Sequence, residues 1–185
     1  MQPSPFGFRL TDKPPVLRCN AGILACTFYT GKDACATKMK IFERTKGDYS
    51  ISTDPAKLDI QKLRDYIAST YWSEGIPLEI MQKAVENSLT FCIYHKQDGL
   101  IGCARVITDF ATFHYLGDVF VAEDHRGRGL GKWLMETIMM HPELQEFRSF
   151  YLLTDDAHGL YEQYGFKRIE DSSFIMRNKK KSGYV

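Results

Sequence analysis

The sequence predicts a mixed α/β (α+β) domain, in which a central sheet of about six to seven strands is flanked by about four helices. After Met39, segments with strand-like alternation and segments with helical spacing follow one another without a repeat or a linker. The 185-residue chain is 44% hydrophobic and 25% charged, which is the balance of a soluble globular protein of about one domain.

In the first half of the domain, alternation predicts a strand over residues 48–53, which Asp54 and Pro55 end. Apolar residues at helical spacing predict one helix over 58–67 and a second over 78–89. Three strands are expected next, over 89–95, 100–109 and 114–122. Turn residues 97–99 join the first two of these strands into a hairpin.

The second half begins with the segment 123–131, whose glycine-rich loop, residues 126–131, opens a helix over 130–139. An apolar strand over 150–154 and a short helix over 157–164 follow, and Gly165 ends that helix as a C-terminal cap. Two last strands are predicted over 166–170 and 173–177.

Residues 1–38 differ from the rest of the chain. They contain four of the seven prolines and three of the five cysteines, and their apolar residues follow no clear period. Met39 opens a stretch that reads like an ordinary protein start. We therefore expect residues 1–38 to be an N-terminal extension, either poorly ordered or upstream of the natural start, and residues 39–185 to form the domain.

Charge and cysteine content exclude several classes of protein. Lys+Arg 24 against Asp+Glu 23 gives a net charge of +1, so we expect no nucleic-acid partner. No apolar run approaches the roughly 20 residues that span a bilayer, so we expect no membrane partner. The five cysteines form no Cys-x-x-Cys pair. We expect reduced thiols in a cytoplasmic protein, with Cys92 and Cys103 buried in apolar runs.

The glycine-rich loop has the composition of an anion site. Glycines let the backbone approach a ligand closely, and the N–H groups at a helix start favour an anion. Arg126, Arg128 and Lys132 add positive charge. The spacing fits neither the nucleoside-triphosphate loop, because Gly131-Lys132 is followed by Trp133, nor the dinucleotide loop, because Gly131 comes one position early.

Arg126, Gly129 and Gly131 form an Arg-x-x-Gly-x-Gly pattern that resembles the acetyl-CoA pyrophosphate loop of the GNAT family of N-acetyltransferases. Residues 119–121 resemble the family's preceding strand, and residues 157–166 its helix-to-strand motif near the C-terminus. The resemblance covers about residues 47–177. It implies acetyl-CoA as co-substrate without a metal, bound by Val119, Val121, Arg126, Gly127, Arg128, Gly129, Leu130, Gly131, Lys132, Thr154 and Tyr161.

The resemblance also implies catalytic roles. Tyr161 holds the position of the family's tyrosine that reaches the CoA sulfur, and a phenol stays protonated at neutral pH, so we expect it to be the general acid. Tyr164 is a rival that we expect to pack. Asp118 is the expected base or amine-binding group, and the backbone N–H of Val121 the expected oxyanion donor.

Several alternatives stay open beside these assignments. Thr154 stands where the family often has asparagine, which puts the side-chain contact to the cofactor in doubt. His158 is an alternative base, and weaker candidates for that role are His114 and Tyr115. The resemblance alone implies that the loop residues Tyr71, Trp72 and Glu74 line the acceptor pocket.

The expected function is direct transfer of an acetyl group to a primary amine of a small molecule. The alternatives are a protein or peptide N-acetyltransferase, acting on N-termini or lysines, and a non-catalytic acetyl-CoA-binding module. Monomers and homodimers both fit the fold.

Overall fold

A six-stranded sheet keeps its strands in chain order. The computed structural model describes residues 40–173, 175–178 and 184, so the expected N-terminal extension lies outside the described residues. Neighbouring strands are antiparallel except for the last pair, which is parallel. The strands are β1 Glu43–Lys46, β2 Tyr49–Ser52, β3 Leu89–His95, β4 Gly99–Thr108, β5 Phe113–Val121 and β6 Ser149–Leu152.

Four α-helices accompany the sheet, as expected from the sequence: α1 Ile60–Ala68, α2 Leu78–Glu86, α3 Leu130–Met139 and α4 His158–Tyr161. Asp59 caps α1, because its carboxylate accepts a hydrogen bond from the Lys62 N–H at 3.0 Å. A 3₁₀ turn, Glu162–Tyr164, continues α4 until Gly165 ends it in the left-handed conformation, with φ 86°.

The sheet separates two apolar clusters. On one face α3 contributes Leu134 and Ile138, which pack with Phe91 of β3 and Leu116 of β5. On the other face α1 and α2 contribute Leu63, Ile67 and Met81. Cys92 and Cys103 are free thiols in this second cluster, 2% and 1% exposed, which confirms that they are buried. Burial of each large apolar side chain contributes about 1.5–3 kcal/mol to folding, so both clusters stabilise the packing of the helices on the sheet.

Two details of the predicted sheet were wrong. Strand β1 was not expected, because its sequence, ERTK, carries no apolar alternation. The strands predicted over 166–170 and 173–177 do not form among the described residues of those segments. Their apolar side chains stay largely in solvent, with Ile169 43% and Met176 96% exposed, so they bury too little surface to order a strand.

No helix in the described part of the chain combines the length and the apolar character that crossing a membrane requires.

The turn between β4 and β5 is organised by one carboxylate. Asp109 Oδ1 accepts hydrogen bonds from the N–H groups of Ala111 at 3.0 Å, Thr112 at 2.8 Å and Phe113 at 3.0 Å. Its Oδ2 accepts another from the Thr112 hydroxyl at 2.6 Å. The Thr112 hydroxyl first, and then the backbone N–H groups, hold the pKa of Asp109 well below its usual range. The turn matters for the site because it sets where β5 begins.

We expect Asp109→Ala to lower the melting temperature at pH 7 by a few degrees. The folded-state pKa of Asp109 lies below its unfolded value of about 3.9, so the carboxylate stabilises the fold above that value. This stabilisation is lost as the pH falls through the folded-state pKa. Melting curves between pH 7 and pH 2 should therefore show a gap between wild type and variant that is constant above about pH 5 and narrows below the unfolded-state pKa of about 3.9. Asp109→Asn, which keeps an acceptor oxygen without the charge, should lie between the two. A gap that stays constant with pH would contradict this account.

Candidate functional site

Strands β5 and β6 separate at the candidate site. Parallel pairing joins residues 113–116 of β5 to 149–152 of β6 and stops at Leu116 and Leu152. Beyond that pair, β5 runs on to Val121 without a partner on this side among the described residues. Val119 and Val121 lie on the unpaired length, and Thr154 follows the end of β6. An extended ligand with amide groups could therefore bind in this fork as a strand would.

A β-bulge lies on β5 where the fork opens. Arg105 pairs with Gly117 and Cys103 with Phe120, so one residue of β4 faces two of β5. The first of the two, Asp118, has φ 54°, in the left-handed region. Its Oδ2 accepts a hydrogen bond from Arg105 Nε at 2.7 Å, and the side chains are 14% and 11% exposed. The nearly buried ion pair holds Asp118 in a conformation that side chains rarely adopt.

The glycine-rich loop follows β5 after the 3₁₀ turn Glu123–His125. Gly127 and Gly129 have φ 73° and 74°, and a Cβ on either would meet nothing within 4 Å, so conformation rather than space requires glycine there. Gly129 is the N-cap of α3 and offers no capping side chain. The N–H groups of the first helical turn are therefore left to another acceptor.

The next two residues have different surroundings. Leu130 is 3% exposed and anchors the start of α3 in the core. A Cβ on Gly131 would meet only Leu160 Cδ2, at the ordinary contact distance of 3.9 Å. Nothing within the described protein thus requires glycine at 131.

Three exposed cations lie around the helix start. Arg126 Nε donates to the Val121 carbonyl at 3.0 Å and folds back over the end of β5. Arg128 donates to the Tyr49 hydroxyl at 2.9 Å and to the Asp124 carbonyl at 3.1 Å. Lys132 extends from the first turn of α3 and is exposed. Free N–H groups, the helix dipole and these charges together favour an anion.

Tyr161 ends α4 and is 8% exposed. Burial, followed by the nearby Asp156 carboxylate and Tyr71, raises the pKa of Tyr161 to about 12. Its hydroxyl therefore stays protonated at neutral pH and can donate a proton. Leu160, the preceding residue, reaches Gly131, so α4 and the glycine-rich loop are neighbours.

An acidic and aromatic surface adjoins Tyr161. Desolvation, and then the carboxylate of Asp155, raise the pKa of Tyr71, and Asp156 acts on Tyr161. Tyr71 and Trp72 form an edge-to-face pair with ring centroids 4.9 Å apart, and they are 66% and 44% exposed. Exposed rings beside carboxylates suit a cationic ligand.

The other predicted residues lie in varied surroundings. Thr154 Oγ1 accepts a hydrogen bond from the Ala157 N–H at 3.0 Å and so caps the turn into α4. Tyr164 donates to the Lys132 carbonyl at 2.9 Å, which joins α4 to α3. His114 is fully buried, with its Nδ1 2.7 Å from the Thr108 hydroxyl. His158 is half-buried at the start of α4.

A cavity of about 490 Å³ lies between β6 and α4 with the residues that follow it, and Thr154, His158 and Tyr161 belong to its wall. The glycine-rich loop does not line it. The loop is instead exposed at residues 126–129, at the start of α3.

Two residues at this site were not predicted from the sequence. Arg105 forms the ion pair with Asp118. It could have been found from the sequence, because it is a single arginine within an apolar strand segment. Tyr49, which holds Arg128 from 79 positions away, had no sequence signal because the contact depends on the fold.

Comparison with known proteins agrees with this geometry. The acetyltransferase (GNAT) domain family matches residues 86–168. A candidate acetyltransferase of Gibberella zeae is 30% identical over 146 residues, which cover 66% of this chain and 81% of that protein. The crystal structure of a candidate GNAT acetyltransferase from Xanthomonas campestris is 43% identical with a TM-score of 0.70, over 74% of this chain and 96% of that one.

A GNAT acetyltransferase from Elizabethkingia anophelis, solved with acetyl-CoA bound, shares the fold at 19% identity and a TM-score of 0.52, over 68% of this chain and 80% of that one. The Xanthomonas and Gibberella relatives are at least 30% identical to this chain, and the similarity extends over most of the length of each relative. This chain therefore belongs to the GNAT acetyltransferases and is an acetyl-CoA-dependent N-acetyltransferase.

Proposed function

We propose that this enzyme moves the acetyl group of acetyl-CoA directly to a primary amine of a small molecule. The observation that carries this proposal is the acidic and aromatic surface beside Tyr161, made by Tyr71, Trp72, Asp155 and Asp156. Aromatic faces and carboxylates attract an alkylammonium ion. We expect the surface to hold the acceptor near the thioester.

In this proposal the CoA pyrophosphate binds at the start of α3. The left-handed Gly127 and Gly129 turn the chain so that the helix begins without a side-chain cap. Backbone N–H groups and the helix dipole then meet the anion. Arg126, Arg128 and Lys132 supply charge, while Leu130 anchors the helix in the core.

The pantetheine arm of CoA is proposed to lie in the fork and to pair with the backbone at Val119 and Val121. The Ala122 N–H donates to the Ile101 carbonyl of β4 at 2.7 Å. Since neighbouring N–H groups along a strand alternate in direction, the Val121 N–H should point into the fork. That direction supports its proposed role as donor to the tetrahedral oxyanion. Thr154 would border the arm from the β6 side.

Tyr161 is proposed to protonate the departing CoA thiolate. A thiol has a pKa of about 8.5 and a phenol one of about 10, and the pKa of Tyr161 is raised to about 12. A donor this weak acts only where charge has built up on the sulfur, which is the case late in thioester cleavage. The low exposure of Tyr161 also keeps water from replacing it.

The amine must lose a proton before attack, because an alkylamine has a pKa of about 10.4. Asp118 as the base stays a prediction. Its carboxylate is hydrogen-bonded to Arg105 and its backbone forms the bulge, which favours a positioning role over proton transfer. His158, in the cavity wall with Tyr161, is the better-placed alternative.

The acceptor class is tested by following free thiol release from acetyl-CoA with a panel of polyamines, amino acids, aminoglycosides and lysine-containing peptides. We expect turnover on small polycationic amines, with KM raised at least tenfold by replacing both Asp155 and Asp156 with Asn, and little change in the KM for acetyl-CoA. Asp48→Asn, whose side chain is 65% exposed and lies outside both this surface and the loop, is the control. Turnover on peptides alone would assign the enzyme to protein acetylation, and thioester binding without turnover on any amine would make it a binding module.

We expect Tyr161→Phe to lower kcat at least tenfold while the KM for acetyl-CoA changes little, because the variant removes only the proton donor. Steady-state kinetics on the best amine of the panel provide the measurement. Tyr164→Phe is the control: it removes a neighbouring phenol that donates to the Lys132 carbonyl, so it should cost about 1 kcal/mol of stability and leave kcat within a few-fold. An unchanged kcat in Tyr161→Phe would remove this hydroxyl from the mechanism.

A further inference from the structure

Two histidines and one aspartate meet at one point, although one of the histidines is distant in the sequence from the other two residues. His95 ends β3, Asp98 lies in the turn before β4, and His125 ends the 3₁₀ turn that leads into the glycine-rich loop. His95 Nδ1 is 2.5 Å and His125 Nε2 is 3.2 Å from Asp98 Oδ2. All three donor atoms lie within 4.8 Å of one another. The family resemblance implies no metal, and nothing in the sequence relates position 125 to the turn at 95–98.

The imidazoles are held in place by their surroundings. His125 is 7% exposed, and its other ring nitrogen, Nδ1, lies 3.3 Å from the Tyr49 hydroxyl, which turns Nε2 toward Asp98. The Tyr49 ring also packs against His95, with centroids 4.9 Å apart. A hydrogen-bonded partner on the second nitrogen of an imidazole is the usual way in which proteins orient a metal-binding histidine.

The carboxylate is accessible from solvent, since the side chain of Asp98 is 51% exposed. Lys62 Nζ contacts the backbone carbonyl of Asp98 at 2.6 Å and leaves the carboxylate to the two imidazoles. A cation could therefore enter from the solvent side, with a water molecule completing its coordination.

We propose that His95, Asp98 and His125 bind a divalent transition-metal ion, with Zn²⁺ as the ion that suits them best. Two imidazole nitrogens and one carboxylate oxygen, with one position open, are a ligand set that Zn²⁺ accepts. With bonds of about 2.0–2.1 Å, tetrahedral ligand atoms lie roughly 3.3 Å apart. The separation of His125 Nε2 from Asp98 Oδ2 is already 3.2 Å, and His95 Nδ1, 2.5 Å from Asp98 Oδ2, would move outward on binding.

A bound ion would join the β3–β4 turn to the segment that enters the glycine-rich loop, because His125 directly precedes Arg126. Tyr49 extends the connection, since its hydroxyl contacts His125 and also accepts a hydrogen bond from Arg128. The proposed ion would therefore link these two segments, and its binding does not depend on the proposed acceptor or catalytic residues.

The experiment titrates the full chain, stripped with a chelator, with ZnCl₂ at neutral pH by calorimetry. The matched variants are His125→Gln and Asp98→Asn, and the control is His158→Gln, a half-buried histidine outside the cluster. We expect the wild type and the control to bind Zn²⁺ at one site that each cluster variant weakens at least tenfold. Equal binding by all four proteins, or no binding by the wild type, would leave Asp98 as a hydrogen-bond acceptor for two imidazoles and overturn the proposal.

A second measurement covers the case in which a cluster variant fails to fold. The chain has five histidines, so nitrogen-15 spectra of the wild-type imidazoles resolve each ring before and after ZnCl₂ is added. We expect large shifts of Nδ1 of His95 and Nε2 of His125, with His114, His141 and His158 unchanged. Shifts confined to other histidines, or none, would contradict the assigned site.

Discussion

The ion pair between Arg105 and Asp118 is the interaction on which the arrangement of the site depends. It holds a residue with φ 54° in the middle of β5, where a left-handed side chain costs roughly 1–2 kcal/mol. That residue produces the bulge, and a bulge bends a strand and increases its twist. Strand β5 and its parallel neighbour β6 part next to the bulge, at Leu116 and Leu152. One side-chain contact on the neighbouring strand thus stabilises the opening in which we propose that the pantetheine arm binds.

The glycine-rich loop depends on β5 in turn. The strand ends at Val121, and Arg126 folds back onto the carbonyl of that residue. Two left-handed glycines then start α3 with its first N–H groups uncapped. A helix with an ordinary Ser or Asp cap would be more stable by a few tenths of a kcal/mol, but the cap would occupy an N–H group that we propose binds the pyrophosphate. The core-facing side of α3 compensates for the missing cap, because Leu130 and Leu134 are buried there.

Much of this could be predicted from local sequence patterns. The four helices, five of the six strands and the loop each follow from spacing within a short window, and the Arg-x-x-Gly-x-Gly pattern identified the family that the relatives confirm. The predictions failed where the outcome depends on distant partners. Strand β1 forms because β2 offers it an edge, and the segments after Phe166 stay irregular because their side chains remain exposed. Three sets of contacts depend on how distant strands pair, which no local pattern shows. They join Arg105 to Asp118, Tyr49 to Arg128, and the two histidines to Asp98.

The central claim is that the backbone at the start of α3 binds the pyrophosphate of acetyl-CoA. Gly131→Ala tests it directly, because a Cβ there meets the protein only at 3.9 Å, so the fold should be as stable as the wild type or slightly more stable. Affinities of wild type and variant are measured for acetyl-CoA and for S-acetyl-pantetheine, which lacks the pyrophosphate. We expect the variant to bind acetyl-CoA at least tenfold more weakly than the wild type does. Its affinity for S-acetyl-pantetheine should equal that of the wild type. Equal loss for both ligands, or no loss for acetyl-CoA, would contradict it.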